Sequence, residues 1–234
     1  MSSPLRIVTW NCRSGSVEAR LSNLAAYRPD VVFLQECRPV WRSAPSAGLY
    51  GRRLKPRKGV AMVVAGAARG CSARQRRPHS GRAAIAVAID HPRPFVALGI
   101  WAQGPDYVDD VLRTLRSHAA LLRSRPAIVF GDFNSGTSLS DNRALSAHHR
   151  RLLDALHALD LVSAYHAFRA ADHGREAHAT YFHQFDARKR WHIDFCFVHE
   201  SWASKLTNVT VIDGRAWRTR SDHLPLLVDI DLTN

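Results

Sequence analysis

Ile128-Val129-Phe130-Gly131-Asp132-Phe133-Asn134 is a short apolar run that breaks at a glycine and continues into a carboxylate and an amide. It reads as a buried strand running into a turn. In extended backbone, residues i and i+2 point to the same side. Asp132 and Asn134 are then offered together at the mouth of a sheet, with Phe133 turned into the protein. The same stretch also fits an ordinary strand that ends in polar turn residues, since Gly, Asp and Asn favour turns. Other strand ends in the chain carry the same kind of chemistry, and this decides between the two readings.

Leu5–Trp10 has the β-branched content of a strand and gives out at Asn11. Val17, Leu21, Leu24 and Ala25 follow at helical spacing, with Ser16 as N-cap and Glu18 in the first turn. Val31–Leu34 is a continuous apolar run, as expected of a strand buried on both faces, and ends in Gln35-Glu36-Cys37. Glu36 is the only acid between Asp30 and Asp90. In strand–helix–strand layouts the carboxyl edge of the sheet collects ligand groups.

Residues 38–58 read as a loop that ends in a basic run including Arg57 and Lys58, and Gly59–Val64 as a strand. Residues 66–82 form a second basic segment with Arg69, Arg74, Arg76, Arg77 and Arg82. Each segment suits either a grip on a phosphate backbone or a solvated loop. Ala83–Ile89 and Phe95–Trp101 read as an antiparallel hairpin. From Pro105 a helix is expected, with Val108, Val111, Leu112, Leu115, Ala119 and Leu122 on one face, ending at Pro126. A second helix is expected around Leu145–Leu159, and residues 163–177 read as irregular. Strands are expected at Thr180–Phe182, His192–Val198, Val209–Ile212 and Leu224–Ile230, with Ser221-Asp222-His223 just before the last. No linker, repeat or low-complexity tract divides the chain, so residues 1–234 are expected to form a single domain.

A hydrophobic share of 46% suits a globular protein with a core. No apolar run approaches the roughly 18 residues of a membrane helix, and the N-terminus has no apolar signal core. A soluble, cytoplasmic protein without membrane contact is expected, with a monomer as the default. Cys12, Cys37, Cys71 and Cys196 make no CxxC pair, which argues against a zinc knuckle or a dithiol redox site. Lys and Arg total 33 against 20 Asp and Glu, for a net charge of +13. That balance favours polyanions, above all nucleic acid. A basic proteome or a solubility requirement produces the same excess.

The strand ends collect Asn11, Glu36, Asp132, Asn134, Asp194, Asp222 and His223: carboxylates, amides and one imidazole, with no thiolate. Oxygen ligands suit Mg²⁺ or Mn²⁺ better than zinc. A histidine activates water or steadies a phosphoryl oxygen, and a buried Asp selects its tautomer. The group fits hydrolysis of a phosphate ester by positioning and charge neutralisation.

Thr9-Trp10-Asn11, Leu34-Gln35-Glu36, Gly131-Asp132-Phe133-Asn134, His192-Ile193-Asp194-Phe195 and Ser221-Asp222-His223-Leu224-Pro225 occur in an order that resembles the endonuclease/exonuclease/phosphatase superfamily, exonuclease-III-type and deoxyribonuclease-like members included. The resemblance spans Leu5 to Ile230. It implies an α/β fold: a four-layer α/β sandwich of two mixed β-sheets face to face, flanked by helices. It implies Glu36 as main metal ligand, supported by Asn11 and Asp222. Asp132 and Asn134 are then assigned to the attacking water and the scissile phosphate, Asp194 pairs with His223, and Thr180 lies beside the site. The implied activity is a metal-dependent phosphodiester hydrolase. A DNA nuclease of the abasic-site or exonuclease type is favoured by the basic loops, with a phosphatase or phosphodiesterase on a small or lipid substrate as the alternative. A non-catalytic binding module would have lost the acids, which are all present.

One departure stands out. Many members place His or Tyr where this chain has Trp101-Ala102-Gln103. Trp101 is a candidate stacking surface for a base or a core residue, and Tyr107 is a candidate replacement. His148 and His149 are expected to be solvated. His166, His173, His178 and His183 match no trusted metal motif, and surface roles are expected of them.

Overall fold

The computed structural model describes residues 4–39, 48–64, 73–76, 83–90, 94–139 and 143–233. In chain order these form β1 (Leu5–Asn11), α1 (Val17–Leu24), β2 (Val31–Cys37), β3 (Leu49–Lys55), β4 (Lys58–Val64), β5 (Ala73–Arg76), β6 (Ala84–Ile89) and β7 (Phe95–Trp101). There follow α2 (Tyr107–Leu122), β8 (Ala127–Asp132), α3 (Arg143–His157), β9 (Leu161–Ser163), α4 (Ala164–Arg169), β10 (Tyr181–Phe182), β11 (Arg190–Trp191), β12 (Asp194–His199), β13 (Leu206–Val211), α5 (Arg215–Arg218) and β14 (Leu226–Ile230).

Two six-stranded mixed sheets carry the architecture, ordered β13-β14-β1-β2-β4-β3 and β5-β6-β7-β8-β12-β9. In each, a parallel pair at the centre, β1 with β2 and β7 with β8, is flanked by antiparallel partners. The sheets lie face to face with helices outside, the expected four-layer α/β sandwich. β7 shows how the layers are sorted. Ala97 and Trp101 point into the core between the sheets, while Val96, Leu98 and Ile100 point outward to α2 and α3. This is the period-two alternation of a strand buried on both faces. Val108, Val111, Leu112, Leu115 and Leu122 of α2 and Leu152 and Leu156 of α3 cover that outer face.

The helix caps follow the local sequence. Ser16 accepts from the amide of Ala19 at 3.2 Å and Asp106 from that of Asp109 at 2.9 Å, each satisfying a free first-turn donor. At the centre of the other sheet, Arg6 lies opposite Asp229 in register and grips it with both Nε and Nη2, at 2.6 and 2.9 Å. This fork–fork pair ties the first strand to the last.

Three expectations need correction. Leu49–Lys55 is not loop but the edge strand β3. Its Arg52, Arg53 and Lys55 hid it, yet basic side chains are a common guard on exposed sheet edges. Ala73–Arg76, inside the second basic segment, is likewise an edge strand, paired with β6. Ala164–Arg169 is a helix, too short for its periodicity to register in the sequence. Arg69, Arg77, Arg82 and Cys71 lie outside the described residues. Cys12, Cys37 and Cys196 are buried free thiols, and burial pushes all of them up, Cys12 and Cys196 to about 12. No helix among the described residues is long and apolar enough to cross a membrane.

Between the sheets, the rings of Phe33 and Phe130 pack at 5.6 Å. Phe33 also lies flat on Gly99, where an added Cβ would meet its ring at 2.4 Å. The Phe33 ring of one sheet therefore fills the space where β7 of the other has no side chain. Gly99→Val should destabilise the protein by about 1–3 kcal/mol through overpacking, read as a lower urea midpoint with an unchanged m value.

Candidate active site

The two sheets bring their central strand ends to one edge. β1 ends at Asn11 and β2 carries Glu36; β8 ends at Asp132 and β12 begins at Asp194. Asp132 and Asp194 are partners in register across the β8–β12 ladder. The segment entering β14 delivers Asp222 and His223.

Local backbone aims these groups. Glu36 has φ of +58° and sits where the β2–β4 register slips between Gln35 and Cys37. This bulge lifts Glu36 out of the alternation and turns its carboxylate into the cleft, while Gln35 stays inside, bonded to Thr9 Oγ1 at 3.0 Å. Asn134 has φ of +48°, so the stretch after Asp132 is a turn and not extended strand. The Asp132 carboxylate closes that turn by accepting the Asn134 amide at 2.9 Å. The Asn134 side chain still lies beside Asp132, 3.3 Å from Oδ2. Gly131 is required here: a Cβ would fall 1.8 Å from the carbonyl oxygen of Ile100. Phe133 turns into the outer core against Phe195 and Phe197.

The resulting cleft, about 190 Å³, is walled by Asn11, Arg13, Glu36, Lys58, Asp132, Asn134, Tyr181, Asp222 and His223. Asn11 donates to Asp132 Oδ2 at 2.9 Å. The Lys58 ammonium pairs with Glu36 Oε2. Arg13 lies 4.0 Å from Asp222. Asp194 sits behind the cleft, fully buried, and accepts from His223 Nδ1 at 2.9 Å. Ligand atoms of Asp132, Asp194 and His223 all fall within 4.8 Å of one another.

These contacts set the charges. Burial pushes the Asp132 carboxyl up to about 7, opposed by His223 and assisted by the nearby Asp194 charge. For His223, burial works against the charged form, but Asp194 and Asp132 outweigh it and hold the imidazole up to about 9. A neutral-range carboxyl thus stands next to a stable imidazolium, an acid–base pair near working pH.

Supporting residues lock the frame. Thr180 is fully buried, and its hydroxyl oxygen accepts from the amides of Ile193 and Asp194 at 3.1 and 3.0 Å. It positions Asp194 and does not reach the cleft. Ser221 donates to the Asn11 carbonyl at 2.7 Å, and Trp10 Nε1 donates to the His223 carbonyl at 3.1 Å. Trp101 is only 5% exposed within the inter-sheet core, so its ring offers no stacking face. Tyr107 is exposed at the start of α2, and Arg57 is exposed in the β3–β4 turn; neither lines the cleft. Lys58 does.

Two wall residues escaped the sequence reading. Tyr181 lays its ring 4.5 Å from that of His223, and burial, with Asp222 and Asp132, pushes its phenol up to about 12. The signal was its place directly after Thr180 in a strand, which turns it to the opposite side. Arg13 enters from the loop after β1, where its spacing from Asn11 carries no recognisable pattern.

The donors suit a hard divalent cation. Asn11, Glu36, Asp132 and Asp222 offer oxygen, and no cysteine is among the described residues that line the cleft. The Lys58 ammonium already stands against Glu36, where positive charge is favoured.

The fold recurs among solved structures. The chain is similar to the 3′ phosphatase NExo from Neisseria bound to product DNA hairpin, with a TM-score of 0.69 and 21% identity over 97% of this chain and 99% of that one. It is similar to an AP endonuclease from Archaeoglobus fulgidus, with a TM-score of 0.70 and 18% identity over 97% of this chain and 100% of that one. The endonuclease domain of TRAS1, a telomere-specific non-LTR retrotransposon, aligns with a TM-score of 0.70 and 17% identity over 99% of this chain and 100% of that one. At these identities the likeness carries the fold. No curated protein matches the chain. The family model described as the Endonuclease/Exonuclease/phosphatase family matches residues 8–223. Membership there supports a phosphoric ester hydrolase, and its span takes in every strand end that walls the cleft. The chain belongs to the Endonuclease/Exonuclease/phosphatase family.

Proposed function

We propose that this protein is a Mg²⁺- or Mn²⁺-dependent DNA nuclease of the abasic-site endonuclease or exonuclease type. The observation that carries the reading is the buried Asp194–His223 pair set against Asp132 at the wall of an all-polar cleft. Its chemistry suits in-line attack of water on a phosphodiester. Asp132 takes the proton from the attacking water, and Asn134 holds that water and a phosphate oxygen. His223, oriented by Asp194, presents its free Nε2–H to the phosphoryl oxygen where negative charge grows. Tyr181 packs against the imidazole, its ring centroid 4.5 Å away and tilted by 38°. Glu36, Asn11 and Asp222 would hold a divalent cation, which when bound would supply Lewis-acid neutralisation of phosphate charge.

DNA is favoured as substrate by the net charge of +13 and by Arg13 and Lys58 at the cleft wall, with Arg57 exposed beyond them. The Neisseria relative of the same fold was solved with a DNA hairpin. A base platform at Trp101 is not part of this reading.

The deciding experiment offers plasmid DNA, a duplex with one abasic site and a chromogenic phosphodiester, each with Mg²⁺, Mn²⁺ or EDTA. DNA should be cut with either metal and not with EDTA. Asp132→Ala should lower the rate by about 10²–10⁴-fold, the usual worth of a general base. Turnover of the small ester with intact DNA would replace the nuclease by a small-molecule phosphodiesterase.

A second expectation concerns pH. The imidazolium of His223 is the active form, so kcat/KM falls as pH rises through its value of about 9. Asp194→Asn removes the charge that raises it, and the alkaline limb should move to lower pH. An unmoved limb assigns that limb to another group.

A further inference from the structure

Behind the cleft lies a second cluster of titratable groups that the proposed chemistry does not use. His149 of α3, His166 of α4, His173 of the following loop and His192 just before β12 surround the ring of Phe195, and Glu176 of that loop pairs with His166. The expected surface roles of His149, His166 and His173 are therefore overturned. His149 is wholly buried, His166 and His192 are buried, and His173 is half-buried.

Histidines gathered this way need partners, and the cluster leaves donor atoms unmatched. His166 Nε2 meets Glu176 Oε1 at 3.0 Å, and its Nδ1 meets Ser163 Oγ at 2.7 Å. His192 donates from Nδ1 to the His178 carbonyl at 2.8 Å, which leaves the lone pair on Nε2. His149 Nδ1 meets Ser135 Oγ at 3.0 Å. Nε2 of His149 and His192, Nδ1 of His173 and Oε2 of Glu176 are buried with no hydrogen-bond partner among the described residues. Buried polar atoms are rarely left so.

We propose that His166, His173 and Glu176, completed by Nε2 of His149 or His192, form a second metal site for a zinc-class divalent ion, apart from the catalytic cleft. Ligand atoms of His166, His173 and Glu176 already lie within 4.8 Å of one another. A tetrahedral zinc with bonds of about 2.1 Å sets its donors roughly 3.4 Å apart. Closure asks for a small inward shift, with the His166 and His173 rings, now stacked at 3.5 Å and 22°, fanning open. An imidazole-rich set with one carboxylate selects zinc, nickel or cobalt over magnesium. The protonation states fit as well. Burial holds His149 and His173 down, to about 4 and about 3, so both are neutral ligands. Despite its burial, Glu176 is held down to about 2, chiefly by the His166 hydrogen bond, and is ionised. A neighbouring cavity of about 480 Å³ lined by His157, Asp154, His166 and His173 gives an ion a route in.

The site would brace the catalytic edge from behind. Ser135, which holds His149, follows Asn134 directly, and His192 precedes Asp194 by two residues. Gly136 lies so close to the His192 carbonyl that a Cβ would meet it at 2.6 Å. The segment after Asn134 and the segment leading into Asp194 thus meet beside the cluster.

The test uses untagged full-length protein, offered micromolar Zn²⁺, passed through a desalting column, and analysed by plasma mass spectrometry. Wild type should retain about one zinc per chain, as should a Glu36→Gln/Asp132→Asn double variant with its cleft disabled. His173→Gln and Glu176→Gln, checked for folding by circular dichroism, should each retain at least about tenfold less. Cobalt substitution should give the intense visible bands of a tetrahedral site in wild type and not in His173→Gln. Zn²⁺ should raise the Tm of wild type and of the double variant, and that shift serves as the readout if a cluster variant fails to fold. Absence of retained zinc and of any Tm shift in wild type would overturn the proposal. Zinc lost from the double variant but kept by His173→Gln would overturn it too, placing the ion in the cleft. Neither outcome bears on the nuclease reading, which its cleavage assay decides separately.

Discussion

Two carboxylates, Asp132 and Asp194, face each other in register on neighbouring strands with no exposure to solvent. Left alone, such a pair costs several kcal/mol of desolvation per charge, with mutual repulsion added. Besides the local Asn134 amide, two partners that relieve it come from the other sheet: Asn11 from the end of β1, and His223 from the segment entering β14. The rest of the structure depends on this exchange. The charges of one sheet are relieved in large part when the other is docked, so the core that brings the sheets together also assembles the site. The balance is visible in His223. Burial alone would strip its proton, yet the two carboxylates win and raise it to about 9.

The strands deliver their groups by leaving regular geometry at the last residue. A bulge with left-handed backbone turns Glu36 out of its ladder, and a left-handed turn folds Asn134 back over Asp132. Such strain persists where surrounding structure holds it. Gln35, Ser221, Thr180 and Trp10 supply that hold, each by a buried hydrogen bond to a neighbouring chain segment. The wall is then completed by cations. Lys58 on Glu36 and Arg13 near Asp222 keep an acidic edge from repelling a phosphate.

The polar layer continues beneath the edge. Phe195 separates the cleft from the histidine cluster, with Asp194 facing one way and the aromatic ring the other along the same strand. The strand alternation that sorts apolar layers in β7 here sorts two polar centres. They share the segments Asn134–Gly136 and His192–Asp194, so a change in one centre has a short mechanical path to the other.

Much of this was written locally. The apolar runs of β1, β2, β7 and β8, the stripe of α2 and the polar residues at the strand ends are short-range patterns, legible because burial on two faces or one imposes its period on the chain. The resemblance carried by Asn11, Glu36, Asp132, Asn134, Asp194 and His223 rests on the same local punctuation. The edge strand β3 was hidden by its arginines, and α4 by its brevity. What the sequence by itself determined is therefore the sandwich and the list of chemical groups at its edge. Only the tertiary structure decided which of them meet. It buried Trp101, withdrew Thr180 behind Asp194, admitted Tyr181 and Arg13, and drew His149, His166 and His173 inward around Glu176. The reason is physical: local pattern reports which face of an element is apolar, whereas the partner of a buried charge comes from distant chain brought near by packing.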